Sequence, residues 1–408
     1  MTSSHLPVLI VGTGPSGLLL AHALKKAGIL FELFEGDSAL NIRGQGYRFK
    51  ITGAGVLALQ SILEPSHYQL LKHCCCASIQ GFTTIDALTG AIGDPGPFGS
   101  KREEREGIPE ELCIDRTILR TILARGLEEN INFDRKLIKY SSTPDGNSVT
   151  VSFAQGGSVI GSLLVAADGA WSSIRKQYLP HFIPVDTEAR FFYSKTPITP
   201  ELCEKFNPAA MKHMTMIADR TEGVPITLLV EPMRFDNAAL AAQEGVQLPA
   251  DYIYWALGSR IDRFDTSSLG ERPRSEDCVK FVQQKVKDWH PSFQALFQHQ
   301  DISQITSIRV ISMAPSMPHW EASRVTLIGD AAHCMSPTSG VGASMALRDA
   351  GLLGKILAEK GVSVESVADY EREMREWPEK AVHKSAMVGR FIFGMKDFSE
   401  LKPLSRDG

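Results

Sequence analysis

The chain has no long run of like charges, no apolar stretch long enough to cross a bilayer, and no cysteine spacing that suits a metal or a redox disulfide. Each absence removes a class of protein. A membrane-spanning helix takes about 20 apolar residues, and no segment approaches that length. Net charge is −4 over 408 residues, and the dense cluster Lys101 to Arg105 is of mixed sign, so nothing points to nucleic acid or an anionic membrane surface. The seven cysteines include the run Cys74-Cys75-Cys76, whose side chains point in different directions, and no Cys-x-x-Cys occurs. The first strand starts within about six residues of the N-terminus, so no signal peptide is expected. A reduced, cytoplasmic protein is the expectation. With 43% hydrophobic and 22% charged residues and no repeat, the composition is that of an ordinary globular chain.

What the chain does have is glycine in informative places. Pro7 to Val11 is an apolar run of strand length, Gly12-Thr13-Gly14-Pro15-Ser16-Gly17 follows, and Leu18 to Ala27 reads as a helix. Glycines at Gly12, Gly14 and Gly17 let the backbone turn tightly and approach a pyrophosphate, while the helix N-terminus offers free N–H groups to its oxygens. The second strand, Phe31 to Phe34, ends at Glu35, near the spacing for a carboxylate that accepts from ribose hydroxyls. An arginine would be expected there for a 2′-phosphate, so this site suits FAD or NAD better than NADP. Two further segments stand far downstream, Ala167-Asp168-Gly169 and Gly329-Asp330-Ala331-Ala332-His333, each at the end of a buried strand pattern. Pro337-Thr338-Ser339-Gly340-Val341-Gly342 then leads into a helix beginning near Ala343.

The pattern between these motifs sets the architecture. Asp115 to Glu129 shows helical spacing of apolar residues, and Val149 to Phe153 with Ser158 to Ala166 reads as a hairpin feeding a buried strand. From about Val185 to Arg263, alternating segments separated by Gly and Pro predict an antiparallel sheet. The expected fold is α/β: a Rossmann-like nucleotide-binding domain interrupted by an antiparallel β-sheet substrate domain, with C-terminal helices. The nucleotide-binding part is assigned residues 1–80, 101–184 and 290–390. The sheet domain is assigned 81–100 and 185–289, and 391–408 forms a C-terminal tail, loose from Ser399.

With these three ordered motifs, the whole chain resembles the class A, single-component FAD-dependent monooxygenases of the p-hydroxybenzoate hydroxylase type. The resemblance implies the nucleotide-binding fold of that family (GR2-type) and FAD as cofactor. Gly12, Gly14, Gly17 and Glu35 would hold its ADP half. Arg43 and Gly46, in the loop Asn41 to Ile51, would run beside the cofactor, and Arg116 would contact its phosphate or ribityl region. Asp168 and Gly169, followed by Ser172 and Arg175, match the segment implicated in both FAD and NAD(P)H binding. Asp330 would accept from the ribityl chain, and Pro337, Gly340, Gly342 and Ala343 would line the flavin ring, with the helix N-terminus near the electron-rich side of a reduced flavin. NADH or NADPH would reduce the flavin, and one oxygen atom of O₂ would pass through a flavin hydroperoxide to a small organic substrate. Ser344 departs from the family, standing where many relatives carry asparagine. No Trp-x-Trp-x-x-Ile-Pro run is present, which counts against a halogenase. The single glycine fingerprint argues against a two-nucleotide disulfide reductase.

Arg48 and Pro337 are the residues expected at the reacting centre; Arg48 follows Tyr47 and would bind a substrate carboxylate or phenolate, or help hold the flavin. From the sheet, Phe192, Tyr193, Lys195, Met214, Met216, Leu228, Glu231 and Trp255 are pocket candidates, of which about half can share one face. Met and aromatic lining would suit a bulky aromatic or alkaloid-like molecule. His333 reads as packing beneath the flavin loop, and His22 and His319 as structural. Two competing readings share the fold: a flavin oxidoreductase that transfers hydride without inserting oxygen, and a non-catalytic flavin-binding protein.

Overall fold

The computed structural model describes residues 6–42, 48–77, 79–94, 110–270 and 273–405. The chain enters through β1 (Val8–Val11), α1 (Pro15–Lys26) and β2 (Phe31–Phe34). All of β1 is buried, as a central parallel strand covered on both faces requires. Pro15 opens α1, where its missing N–H costs nothing. Then come β3 (Arg48–Ile51), α2 (Ala54–Ile62), α3 (Pro65–His73) and the short strands β4 (Thr83–Asp86) and β5 (Ile92–Gly93).

β6 (Leu112–Asp115) pairs antiparallel with β3 and runs straight into α4 (Arg116–Ala124). The expected helix from Asp115 to Glu129 is thus shorter at both ends. Asp115 caps it, its Oδ1 accepting from the amides of Thr117 and Ile118 at 2.7 and 3.3 Å. At the other end Arg125 is already extended, and Gly126 follows with φ of 77°. β7 (Ile131–Asn132), the meander β8 (Leu137–Ser142), β9 (Val149–Phe153) and β10 (Ser158–Gly161), then β11 (Leu163–Ala166) and α5 (Ser173–Tyr178) complete the first half.

The second half opens with β12 (Val185–Pro197), α6 (Pro200–Lys205), β13 (Thr215–Asp219), β14 (Ile226–Met233), α7 (Ala238–Gln243) and β15 (Tyr252–Arg260). After α8 (Ser275–Lys285), α9 (Pro291–Gln298) and β16 (Thr306–Ser312), the chain returns through β17 (Val325–Leu327) and α10 (Asp330–His333). It closes with α11 (Gly342–Lys360), α12 (Val364–Met374) and α13 (Pro378–Phe393).

Two sheets organise these elements. The first is parallel, in the order β17-β11-β1-β2-β7, so strands from both ends of the chain lie side by side. The second has seven strands in the order β16-β12-β15-β14-β13-β4-β5, antiparallel except where β4 lies parallel to β13. α11 lies across α1 and α2 at a distance only small residues permit. A Cβ on Gly354 would stand 2.5 Å from that of Ala23, and one on Gly351 would stand 3.0 Å from that of Ala58.

The period of two along the large sheet separates two cores. Phe191, Tyr193, Met216, Tyr254 and Ala256 belong to the core shared with the parallel sheet. Phe192, Leu228, Val230, Trp255 and Leu257 pack beneath α8 and α9, against Val282, Phe293 and Phe297.

Two boundaries drawn from sequence need correction. The range 290–390 assigned to the nucleotide-binding part begins too early. α9 covers the outer face of the large sheet and β16 is its edge strand, paired to β12. The C-terminal tail is also not loose up to Ser405. Leu401 and Leu404 are buried, the Leu404 amide donates to Pro184 O at 2.9 Å, and the Asp186 amide donates to Lys402 O at 3.1 Å.

Candidate active site

The three motifs meet at the C-terminal ends of β1, β11 and β17, which neighbour one another in the parallel sheet. In open sheets of this kind ligands bind where the strands end. The three fingerprint glycines have different duties. Gly12 has φ of 107°, and a Cβ there would lie 2.3 Å from Ala167 O; a Cβ on Gly17 would lie 2.1 Å from Gly12 O. Both are closed off by protein. Gly14, at the mouth of α1, meets nothing nearer than Ala167 O at 4.0 Å, and no side chain caps the helix above it. That leaves unpaired-for space and helix N–H groups where a pyrophosphate needs them.

Glu35 is fixed beside this turn. Its Oε2 accepts from the Thr13 amide at 3.2 Å and Thr13 Oγ1 at 2.5 Å, and its Oε1 accepts from the Asp37 amide at 3.1 Å. Burial acts to raise the Glu35 pKa, but these hydrogen bonds and the nearby Arg120 outweigh it and hold the pKa below the ordinary value. Arg120 is a residue the sequence reading missed. Buried on α4, it donates from Nε to Thr13 O at 3.1 Å and from Nη2 to Thr13 Oγ1 at 3.0 Å, and lies 3.7 Å from Glu35. A basic residue one helical turn beyond Arg116, within an otherwise apolar stretch, was the available signal.

Asp168 and Asp330 are the carboxylates at the ends of the second and third motif strands. Asp168 Oδ2 accepts from the Ser173 amide at 2.9 Å, while Oδ1 is buried without a hydrogen-bond partner among the described residues. Solvent reaches Asp330, yet protein surrounds its carboxylate closely enough for burial to raise its pKa, against the pull of His333, Arg116 and Arg175. Arg175 is itself buried and ties the second motif to the third, donating to Ala170 O at 2.7 Å and Ala331 O at 2.9 Å.

His333 lies beneath this floor. Its Nε2 stands 2.5 Å from Asp349 Oδ2, which also accepts from the Gly329 amide at 2.8 Å. Burial would lower the His333 pKa, but Asp349 beside it prevails and the pKa is raised. The loop from Pro337 to Gly340 is exposed at both ends and tethered from behind. Thr338 Oγ1 donates to Ser385 O at 2.7 Å, and the Ser339 and Ser385 hydroxyls are 2.5 Å apart. Gly342 and Ala343 begin α11, with no side-chain cap on the helix and Asp330 Oδ1 4.0 Å from the Cβ position of Gly342. Ser344 is occupied elsewhere: it is buried, and its Oγ accepts from the Thr52 amide at 3.0 Å. Gly169 has φ of 78° and open space at its Cβ position. Arg43 and Gly46 lie outside the described residues.

Arg48 lies at the seam between the two sheets, where its Nε and Nη2 are paired with Glu231 on β14. Burial opposes its charge, but Glu231 outweighs burial and raises the Arg48 pKa further. The sheet candidates separate by face. Tyr193, Lys195, Met216 and Glu231 face the nucleotide-binding side, with Tyr193 stacked on Tyr254 at 6.1 Å. Phe192, Leu228 and Trp255 lie on the far side under α8 and α9, so they are not pocket residues. Met214 precedes β13 and belongs to neither core. No group of three or more His, Cys, Asp or Glu among the described residues could hold a metal ion.

A parallel sheet whose three neighbouring strand ends carry these motifs, interrupted in sequence by a second sheet with which it shares a core, defines an interrupted Rossmann-type fold. The comparisons make this specific. Residues 118–385 match the model of the FAD binding domain family. The chain is 36% identical over 409 residues to the dual O-methyltransferase/FAD-dependent monooxygenase CTB3 of Cercospora beticola, covering 96% of this chain and 47% of that protein. It is 27% identical over 376 residues to the FAD-dependent monooxygenase dbaB of Emericella nidulans, covering 87% of each. Among solved structures, one from Photorhabdus luminescens subsp. laumondii TTO1, assigned as a FAD containing monooxygenase, superposes with a TM-score of 0.78 at 27% identity, covering 95% of this chain and 98% of that one. The chain therefore belongs to the FAD-binding family of p-hydroxybenzoate hydroxylase-like, class A FAD-dependent monooxygenases, and FAD is the cofactor its groove is built for. It spans about half the length of the dual-function relatives it matches.

Proposed function

We propose that the chain carries an FAD-dependent, NAD(P)H-consuming monooxygenase activity that inserts one oxygen atom from O₂ into a small, aromatic, natural-product-like molecule. The observation that supports this best is the meeting of the FAD groove with the aromatic face of the large sheet, at a seam that carries the Arg48–Glu231 pair.

Bound FAD supplies hydride acceptance from NAD(P)H and the activation of O₂. The chain does the holding. Gly14 leaves room for the pyrophosphate at the mouth of α1, and Glu35, already held as a carboxylate, accepts from the ribose hydroxyls. Asp330, which solvent reaches, would accept from the ribityl chain, with Asp168 beside it at the end of β11. Arg116 offsets the charge of Asp330 and reaches toward the phosphate or ribityl region. The uncapped start of α11 at Gly342 and Ala343, with Pro337 and Gly340 in the loop before it, would offer N–H groups to the negative charge of a reduced flavin.

The substrate would lie between this loop and the part of the large sheet bearing Tyr193 and Tyr254, which border the shared apolar core. Arg48, kept charged by Glu231, presents a fixed cation to an oxygen substituent on the ring. Fungal relatives named as FAD-dependent monooxygenases support a natural-product-like substrate class. The test is turnover under ¹⁸O₂ with NAD(P)H, using a panel of phenolic polycyclic compounds. One labelled oxygen in the product, with substrate-stimulated NAD(P)H consumption, supports the reading. A modified but unlabelled product would assign hydride transfer without insertion and reject it.

A further inference from the structure

Arg48 and Asp115 are direct partners across the β3–β6 ladder. Facing them is one row of the large sheet: Lys195 on β12, Tyr254 on β15 and Glu231 on β14 are neighbours in register, on the same side. The charges match crosswise. Arg48 pairs with Glu231, and Asp115 Oδ2 pairs with Lys195 Nζ at 2.5 Å, while Tyr252 Oη donates to the same oxygen at 2.6 Å. All four charged side chains are buried or nearly so, from 2% exposed at Asp115 to 14% at Lys195. A shift of the large sheet by one strand would leave a buried charge facing Tyr254 in place of its partner, and buried unpaired charges are costly.

This square connects to the cofactor groove through the backbone. Asp115 uses its other oxygen to cap α4, the helix whose Arg116 bears on Asp330 and whose Arg120 grips Thr13 in the glycine turn. We infer that Lys195 and Glu231 are positioning residues: by clamping Asp115 and Arg48 crosswise, they set where the sheet bearing the substrate face stands over the FAD groove and where the arginines of α4 stand within it. The substrate half of this statement rests on the proposed monooxygenase reading. The groove half does not.

Lys195→Met is the informative change. Methionine is uncharged and close to lysine in length, so it removes the cation facing Asp115 and Tyr252 with little change in volume. FAD titration and visible circular dichroism of the bound flavin come first. We expect FAD to bind about tenfold more weakly in this variant, with an altered flavin dichroism, and Lys195→Arg to restore both. The share of NAD(P)H ending as peroxide should also rise severalfold. Should Lys195→Met not fold, Lys195→Met/Asp115→Asn removes the stranded carboxylate while keeping an oxygen to cap α4, and its FAD affinity should still fall. A lower melting temperature with wild-type FAD affinity, dichroism and peroxide share, in either variant, would overturn the inference. Wild-type protein that binds FAD but consumes no NAD(P)H would reject the proposed function instead and leave the FAD readouts to judge the clamp.

Discussion

At the scale of single residues, the glycine turn separates space kept for protein from space kept for a ligand. Gly12 and Gly17 are closed by backbone atoms, whereas Gly14 is open. Gly14→Ala should therefore leave the melting temperature of the FAD-free protein nearly unchanged, within about 0.5 kcal/mol, yet weaken FAD binding at least tenfold. Gly17→Ala should destabilise the FAD-free protein itself, since its Cβ would meet Gly12 O at 2.1 Å. Thermal melts with and without FAD check both, and equal behaviour of the two variants would contradict this division. Glu35→Ala should cost roughly 1.5–3 kcal/mol of FAD affinity, the scale of charged hydrogen bonds, read by the same titration. The glycines and Glu35 were legible because their duties are local and fall at fixed spacing. Arg120 and Asp349 were not, because each acts on a segment far along the chain, Arg120 on Thr13 and Asp349 on Gly329 only through the packing of a helix. Ser344, where many relatives carry asparagine, has a duty the sequence did not show: its hydroxyl accepts from the Thr52 amide.

At the scale of elements, helix ends and contacts carry consequences that spacing alone does not reveal. His22 on α1 sits 2.8 Å from Leu123 O at the end of α4 and edge-on to His67. Burial is the main reason its pKa is lowered to about 4. The unfolded chain thus takes up a proton near pH 6.5 that the folded protein refuses. Stability contributed by this site is whole above pH 6.5 and is lost as pH falls toward 4. His22→Gln should flatten that part of the acid limb by a few kcal/mol at most, measured by denaturant unfolding between pH 7 and 4. An unaltered acid limb would count against it. The start of α4 was misplaced in sequence because Asp115 continues the apolar pattern by position while serving as a cap. The two cores of the large sheet were legible only as alternation; which parity faces the flavin side was settled by α8 and α9 covering the other.

At the scale of the whole molecule, the parallel sheet and one face of the large sheet share a single core, joined by the crosswise charges at the seam. Unfolding followed by far-ultraviolet dichroism and by tryptophan fluorescence should then give coincident midpoints, and saturating FAD should raise both by mass action. Separate transitions would mean the two sheets unfold independently. The interrupted order of the fold was readable because its three motifs punctuate the chain. Its boundaries were not: β16 joins β12 by long-range pairing, and Leu401 and Leu404 are buried by contact with Pro184 and its neighbours, neither of which leaves a local pattern. The central claim is that this groove holds a flavin that NAD(P)H reduces and O₂ reoxidises, and it is tested most directly by the visible spectrum of the purified chain through anaerobic NAD(P)H addition and then air. Oxidised-flavin bands that bleach with reductant and return on aeration are the predicted result. A colourless protein that takes up no added FAD would contradict it.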